Sequence, residues 1–175
     1  MPSTRRAFLA ACGVAATATA GCTATDFGAP AYQIVGGVEW KHVRGLRDDT
    51  IEKVAQNDPV DGPVEHAAPI DLELRTTAYD DSVVDLSGEG PLVLSGDTRE
   101  TLRSGYEDPY GVVVLTLYNR DPHNEIPQGN SFGYRTDLEE FNRVDPGDRV
   151  SATVQRNEDL VAVDELLTVD RAGER

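Results

Sequence analysis

The side chains best suited to chemistry are concentrated in one stretch of the sequence, residues 119–134. It combines carboxylate, imidazole, amide and phenol groups, at Asp121, His123, Asn124, Glu125 and Tyr134. Oxygen ligands at this density suit a hard cation such as Ca²⁺, and carboxylates beside an imidazole can act as acid and base. A solvated acidic loop without a ligand has the same composition, and we favour that interpretation because irregular loops lie on the surface. The stretch is therefore a candidate ligand or cation site, with no catalytic residue assigned.

The rest of the sequence offers little catalytic or metal-binding pattern. His42, His66 and His123 are far apart and follow no ligand spacing. There is no HExxH or phosphate-binding GxxxxGK[ST] motif and no paired cysteine and histidine. The sequence favours a binding protein over an enzyme, and predicts no cofactor and no metal site.

Charge narrows the range of partners. The chain has 31 Asp and Glu against 16 Lys and Arg, and the only lysines are Lys41 and Lys53. Residues 1–21 contain two arginines and no acid, so the remaining 154 residues carry 14 basic against 31 acidic side chains, a net charge of −17. This disfavours nucleic acid, whose phosphates are bound by clustered Lys and Arg.

Acid-rich, lysine-poor composition resembles that of proteins from extremely halophilic archaea. The resemblance implies that the carboxylates hold water and cations in concentrated salt. Their mutual repulsion matters little there, because the Debye length is only ~3 Å at 1 M ionic strength.

The first 21 residues have the organisation of an export signal. Arg5 and Arg6 precede an apolar run over 7–21, which is shorter than the ~20 residues that a membrane-spanning helix needs. The paired arginines resemble the twin-arginine signal class, and the sequence TAGC at 19–22 resembles the lipobox of bacterial and archaeal lipoproteins. These resemblances imply that Cys22 becomes the mature N-terminus, carries lipid, and anchors the protein to the extracytoplasmic face of the membrane.

The mature part is expected to contain one folded unit. A short polar tether over 22–31 leads into a single β-rich domain over 32–175. Alternation of apolar and polar residues over 69–79 and a β-branched apolar run over 110–119 predict strands, as does a hairpin over 149–169. Short helices are expected at 51–57, 98–104 and 137–144.

Strands, a short helix, a Pro-Gly-Asp turn and a closing hairpin over about residues 110–170 resemble the second half of an OB-type barrel. The resemblance implies a mostly β fold, a small β-barrel or OB-like domain with two or three short helices. A fold of this kind fixes no function.

Together these features predict a membrane-anchored extracytoplasmic lipoprotein whose β-rich domain binds another cell-envelope protein or a small ligand. The alternative is a small envelope enzyme, or a cation-binding protein, that uses the 119–134 loop. In that alternative Asp121, His123 and Glu125 would supply acid and base groups or metal ligands.

Overall fold

The computed structural model describes residues 31–60, 73–82, 88–122, 124–157 and 160–170. Within these ranges the protein is mostly β, as predicted, with one sheet, one α-helix and one short 3-10 helix. In chain order the elements are β1 (Tyr32–Arg47), β2 (Thr50–Pro59), β3 (Leu74–Ala78), β4 (Gly88–Glu89), α1 (Gly96–Gly105), β5 (Glu107–Leu117), β6 (Ser131–Thr136), the 3-10 helix η1 (Glu140–Arg143), β7 (Arg149–Asn157) and β8 (Leu160–Asp170).

The sheet is organised around its long first strand. The hydrogen-bonded order is β4-β3-β2-β1-β5-β6-β8-β7, and β1 makes an additional pairing with β7. Residues 32–37 of β1 pair with β7, residues 36–46 with β5, and residues 41–47 with β2. All neighbouring strands are antiparallel except β6 and β8, which are parallel.

The predicted barrel does not describe the whole fold. The sheet continues from β1 through β2 and β3 and ends, among the described strands, at β4. The sequence analysis did not anticipate this extension, since it assigned no strand to the residues of β2.

A tight turn joins β1 to β2. Asp48 and Asp49 have positive φ angles of 49° and 59°, as both central residues of a type I′ hairpin turn require. Aspartate tolerates this left-handed conformation better than most residues. The two aspartates therefore close a hairpin and do not begin a helix.

The helix expected at 51–57 is wrong for a related reason. The segment is β2, and its register shifts so that Val43 pairs with Ala55 and Arg44 with Lys53, which leaves Val54 as an extra residue. This β-bulge interrupts the strand alternation, and Val54 and Ala55 are both buried. The two adjacent apolar residues Val54 and Ala55 have the spacing that a buried helical face would have, which is why a helix was predicted.

Several other predicted elements are found in the structure. The central strand predicted at 110–119 is confirmed as β5, and the predicted hairpin is confirmed as β7 and β8. The helix expected at 98–104 lies within α1, although its N-cap is Ser95, whose side chain accepts a hydrogen bond from the Thr98 amide at 3.1 Å. The helix expected at 137–144 is reduced to η1.

The core packs on the inner face of the sheet, against α1 and η1. Its fully buried apolar side chains include Ile34, Val38, Val43, Leu102, Leu115, Leu117, Tyr134 and Phe141. Leu102 comes from α1 and Phe141 from η1, so both helices are held by one inward side chain each. The outer face of β1 is thereby left to the polar and aromatic residues described below.

Candidate functional site

Asp121, the carboxylate singled out from sequence, is a buried structural group. It is completely buried, and its oxygens accept hydrogen bonds from the Tyr134 hydroxyl at 2.7 Å and from the Asn124 side chain at 2.8 Å. The Asn124 amide donates a further bond at 3.1 Å. Burial alone would raise the pKa of Asp121, but hydrogen bonds from Asn124, Tyr32 and Tyr134 outweigh it and hold the pKa below its usual range.

The two tyrosines around Asp121 link it to the sheet. Tyr32 begins β1 and Tyr134 lies on β6, so one carboxylate joins two strands that do not pair with each other. Burial, reinforced by the hydrogen bond to Asp121, raises the pKa of both phenols, so both remain protonated donors. A carboxylate that already accepts this many bonds is a poor metal ligand or general base.

Asn119 also serves the fold. Its side-chain oxygen accepts from the Val35 amide at 2.7 Å, and its side-chain nitrogen donates to the Gln33 carbonyl at 3.1 Å. These bonds fasten the beginning of the loop to β1. The loop is also shorter than expected, because β6 begins at Ser131.

The remaining predicted site residues are not brought together. Glu125 is exposed, with a positive φ of 55°. His123, like Arg5, Arg6 and Cys22, lies outside the described residues. Among the residues that the structure describes, no group of three or more His, Cys, Asp or Glu side chains is placed to hold a metal ion. In the same residues, no helix has the length and hydropathy needed to cross a membrane.

A GxSxG pattern, which the sequence analysis missed, spans residues 129–133. In α/β-hydrolases this pattern needs a strand-to-helix turn that exposes the serine. Here Ser131 is the first residue of β6, and its hydroxyl donates to Glu39 at 2.8 Å and lies 3.1 Å from the Thr116 hydroxyl. Neither this context nor these partners make Ser131 a nucleophile.

Lys41 is a second buried ionisable group with a structural role. Its ammonium donates to the carbonyls of Phe141 and Val144, at 3.3 and 2.5 Å, and to the Asp145 carboxylate at 2.8 Å. Burial lowers the pKa of Lys41, opposed by the attraction of Asp145. The side chain satisfies carbonyls at the end of η1 and so ties that helix to β1.

A third network closes the far end of the β1–β2 hairpin. The Tyr106 hydroxyl donates to Asp80 at 2.7 Å, and Arg47 pairs with the same carboxylate at 2.6 Å while lying over the Tyr106 ring. Hydrogen bonds from Ser82, Tyr106 and Arg47 hold the pKa of Asp80 below its usual range. Every member has partners within the network, so this cluster also stabilises the fold.

The outer face of β1 and β2 differs from these satisfied networks. Trp40, His42 and Arg44 alternate along β1, and the rings of Trp40 and His42 stack with centroids 5.0 Å apart. Lys53 of β2 lies directly opposite Arg44. Its ammonium is 5.7 Å from the Trp40 ring and 5.6 Å from the Tyr79 ring, within reach of cation–π attraction.

Within the part of the chain that the structure describes, neither cation of this pair has an acidic partner. None of the ion pairs found among the described residues includes Arg44 or Lys53. Arg44 donates its Nε to His42 Nε2 at 2.9 Å, and Lys53 donates to the Gln56 side chain at 2.5 Å. In a chain with 31 acids against 16 bases, two directly opposed cations whose partners among the described residues are all neutral are unusual.

His42 lies beneath the pair. It is 2% exposed, and burial, with the charges of Arg44 and Lys53, lowers its pKa to about 3. The imidazole is therefore neutral near pH 7, and because Nε2 accepts from Arg44, the ring proton belongs on Nδ1. That Nδ1 is buried and has no hydrogen-bond partner among the described residues.

Sequence reasoning did not single out this face. Trp40, His42 and Arg44 follow the two-residue period of a strand, and that alternation was the available signal. Lys53 could not be connected to them, because β2 was expected to be a helix.

Comparison of the chain with protein-family models, with curated proteins and with solved structures finds no match.

Proposed function

We propose that this protein is a lipid-anchored, extracytoplasmic binding protein. Arg5 and Arg6 direct its export, Cys22 carries the lipid, and the tether over 22–31 joins the anchor to the β-rich domain. Export and anchoring are supported by the signal-like order of charged residues, an apolar run and small residues before Cys22. With two acyl or ether-linked chains the anchor would be stable.

The observation that carries the binding role is the Arg44–Lys53 pair on the outer face of β1 and β2. Aromatic and cationic side chains at a surface are typical of recognition sites, and on this face Trp40, Arg44 and Lys53 are half-buried. Tyr79, beside Lys53, is 57% exposed. This face is the part of the described surface best suited to a partner.

The alternative, an envelope enzyme or cation-binding protein that uses the 119–134 loop, has weaker support. Its central carboxylate, Asp121, is buried and already bonded to Tyr134 and Asn124. An acid or base must reach its substrate, and a Ca²⁺ site needs several oxygens directed at one point.

We also propose that strands β1, β5, β6, β8 and β7 are arranged as in an OB-like domain, a partly open five-stranded unit. Support comes from the parallel pairing of β6 with β8 and from the additional pairing of β1 with β7. The segment β2–β4 is then an insertion after the first strand, and it carries Lys53 to the side of Arg44.

Intact mass and membrane fractionation of the native protein and a Cys22→Ser variant, produced in a halophilic archaeal host, test the anchor. We expect the native protein to gain a lipid-sized mass and to stay with the membrane, and Cys22→Ser to lose both properties. Equal masses and a soluble distribution for both proteins would contradict the anchored role.

A further inference from the structure

We propose that the Arg44–Lys53 pair binds the carboxylates of an acidic segment of a partner protein in the cell envelope. The inference rests on the proposed binding function and names the chemistry of the partner. Its basis is charge complementarity at one defined place, where two cations lie side by side with no carboxylate among the described residues within ion-pair distance.

The position of the two cations is fixed by the hairpin. Directly opposed residues on antiparallel strands have Cβ atoms about 4.5–5.5 Å apart, and like charges there repel each other. The β-bulge at Val54 sets the register that aligns Lys53 with Arg44. An acid at position 53 would form an internal ion pair with Arg44, whereas the lysine leaves both cations without one.

Arg44 is held at one side of its guanidinium only. Its Nε is bonded to His42 Nε2 at 2.9 Å, and no partner is found among the described residues for its two terminal nitrogens. Those nitrogens form the edge of the planar guanidinium that binds a carboxylate through two parallel hydrogen bonds. Because His42 is buried and neutral, it fixes the guanidinium without neutralising the positive charge.

The unsatisfied Nδ1 of His42 also supports the proposal. A buried donor without an acceptor costs stability, and such groups call for an explanation in a native structure. Here the cost accompanies an imidazole that holds Arg44 in place and stacks on Trp40. A role of Trp40, His42 and Arg44 in recognition would explain why this cost is retained.

The number of adjacent cations indicates which class of anion the face would bind. Arg44 and Lys53 form one pair of adjacent cations without an ion pair among the described residues, whereas the nearby Arg135 is already paired with Asp108 at 2.6 Å. Nucleic acid presents a continuous row of phosphates that several cations must neutralise, and an anionic membrane presents a plane. A pair of cations flanked by Trp40 and Tyr79 instead suits one or two carboxylates on a peptide, whose apolar groups would cover the rings.

A fluorescent peptide of alternating Glu and Ser provides the probe, and a peptide of alternating Gln and Ser is its neutral counterpart. Binding is measured by fluorescence anisotropy with residues 22–175 carrying Cys22→Ser, beside the same protein with Arg44→Gln or Lys53→Gln. Arg103→Gln is the matched control, because Arg103 is an exposed cation of α1 that none of the ion pairs includes. A single-stranded oligonucleotide and anionic phospholipid vesicles are tested in parallel.

We expect the Glu peptide to bind, each pair variant to bind about tenfold more weakly, Arg103→Gln to bind as the parent does, and the Gln peptide not to bind. Lys53→Glu separates loss of binding from loss of folding. It should abolish peptide binding while raising the melting temperature, so the lost binding would not be due to unfolding. No binding, or equal loss in Arg103→Gln, would overturn the proposal. So would tighter, pair-dependent binding of the oligonucleotide or the vesicles.

Failure of this inference is distinguishable from failure of the proposed function. If the native protein is lipidated and cross-links to a membrane partner, but the Glu peptide does not bind, the binding protein stands and the acidic-segment partner is wrong. If the native protein is neither lipidated nor retained by the membrane, the proposed function fails whatever the peptide does.

Discussion

Arg44 on β1 and Lys53 on β2 lie directly opposite each other, and neither has a carboxylate partner among the described residues. Each is held by a neutral acceptor, His42 for Arg44 and Gln56 for Lys53. The Asp121 and Asp80 networks, by contrast, hold their charges among hydrogen-bond donors. Asp121 and Asp80 thus stabilise the fold through their networks, whereas Arg44 and Lys53 could still pair with the carboxylates of a partner.

The first prediction concerns the stability cost of this pair. Lys53→Glu replaces a repulsive cross-strand pair with an attractive one, so we expect the free energy of unfolding to rise by roughly 0.2–1 kcal/mol. Lys53→Gln removes the repulsion together with the contacts of the ammonium with Trp40, Tyr79 and Gln56, so it should raise the free energy of unfolding by less. Urea denaturation at low salt measures both, and a lower stability for Lys53→Glu would show that the lysine is a structural residue.

The second prediction concerns the buried carboxylate. Asp121→Ala leaves the Tyr134 hydroxyl and the Asn124 amides without their acceptor, so we expect a loss of about 2–4 kcal/mol in the free energy of unfolding. Glu125→Gln, an exposed change in the same loop, should alter it by less than about 0.5 kcal/mol. Similar effects of the two substitutions in urea denaturation would contradict the structural role of Asp121.

The third prediction is the pH dependence of the same residue. The pKa of Asp121 is lower in the folded protein than the ~3.9 of an unfolded aspartate. Its stabilising contribution is therefore present above about pH 4 and is lost as the pH falls through the folded pKa. The difference in unfolding free energy between the native protein and Asp121→Asn should shrink as the pH falls from 7 to below about 4, and a constant difference would exclude this linkage.

The fourth prediction tests the packing of η1 on β5. A Cβ at Gly111 would lie 2.5 Å from Phe141 Cδ2, whereas a Cβ at Gly96 would meet nothing within 4 Å. Gly111→Ala should therefore lower the unfolding free energy by about 1–3 kcal/mol, and Gly96→Ala should leave it unchanged or raise it slightly. Thermal denaturation of both variants measures this, and a Gly111→Ala protein of native stability would refute the close contact.

Local patterns predicted those elements whose residues determine their own structure. The β-branched run of β5 and the alternation of the last hairpin were sufficient for their assignment. The alternation over 92–94 is informative even though the segment lacks regular structure, because Leu92 and Leu94 are buried and Val93 is exposed.

The errors arose where distant residues decide the outcome. Val54 and Ala55 are both buried because of a bulge whose register depends on β1, and no local signal distinguishes this from a helix. Asp121 was recognised as chemically interesting, but its partners Tyr32 and Tyr134 lie on separate strands, and their convergence follows only from the sheet. The opposition of Arg44 and Lys53 was hidden for the same reason.

The measurement that tests the central claim most directly is site-specific photo-cross-linking in cells of the native, lipid-bearing protein. The photoreactive residue is placed at position 79 or, as the matched control, at position 93, since Tyr79 and Val93 are 57% and 49% exposed and only Tyr79 adjoins Lys53. We predict a cross-linked envelope protein from position 79 that is absent from position 93 and is lost when Arg44→Gln is added. Equal cross-linking from both positions, or none from position 79, would contradict a binding role for this face.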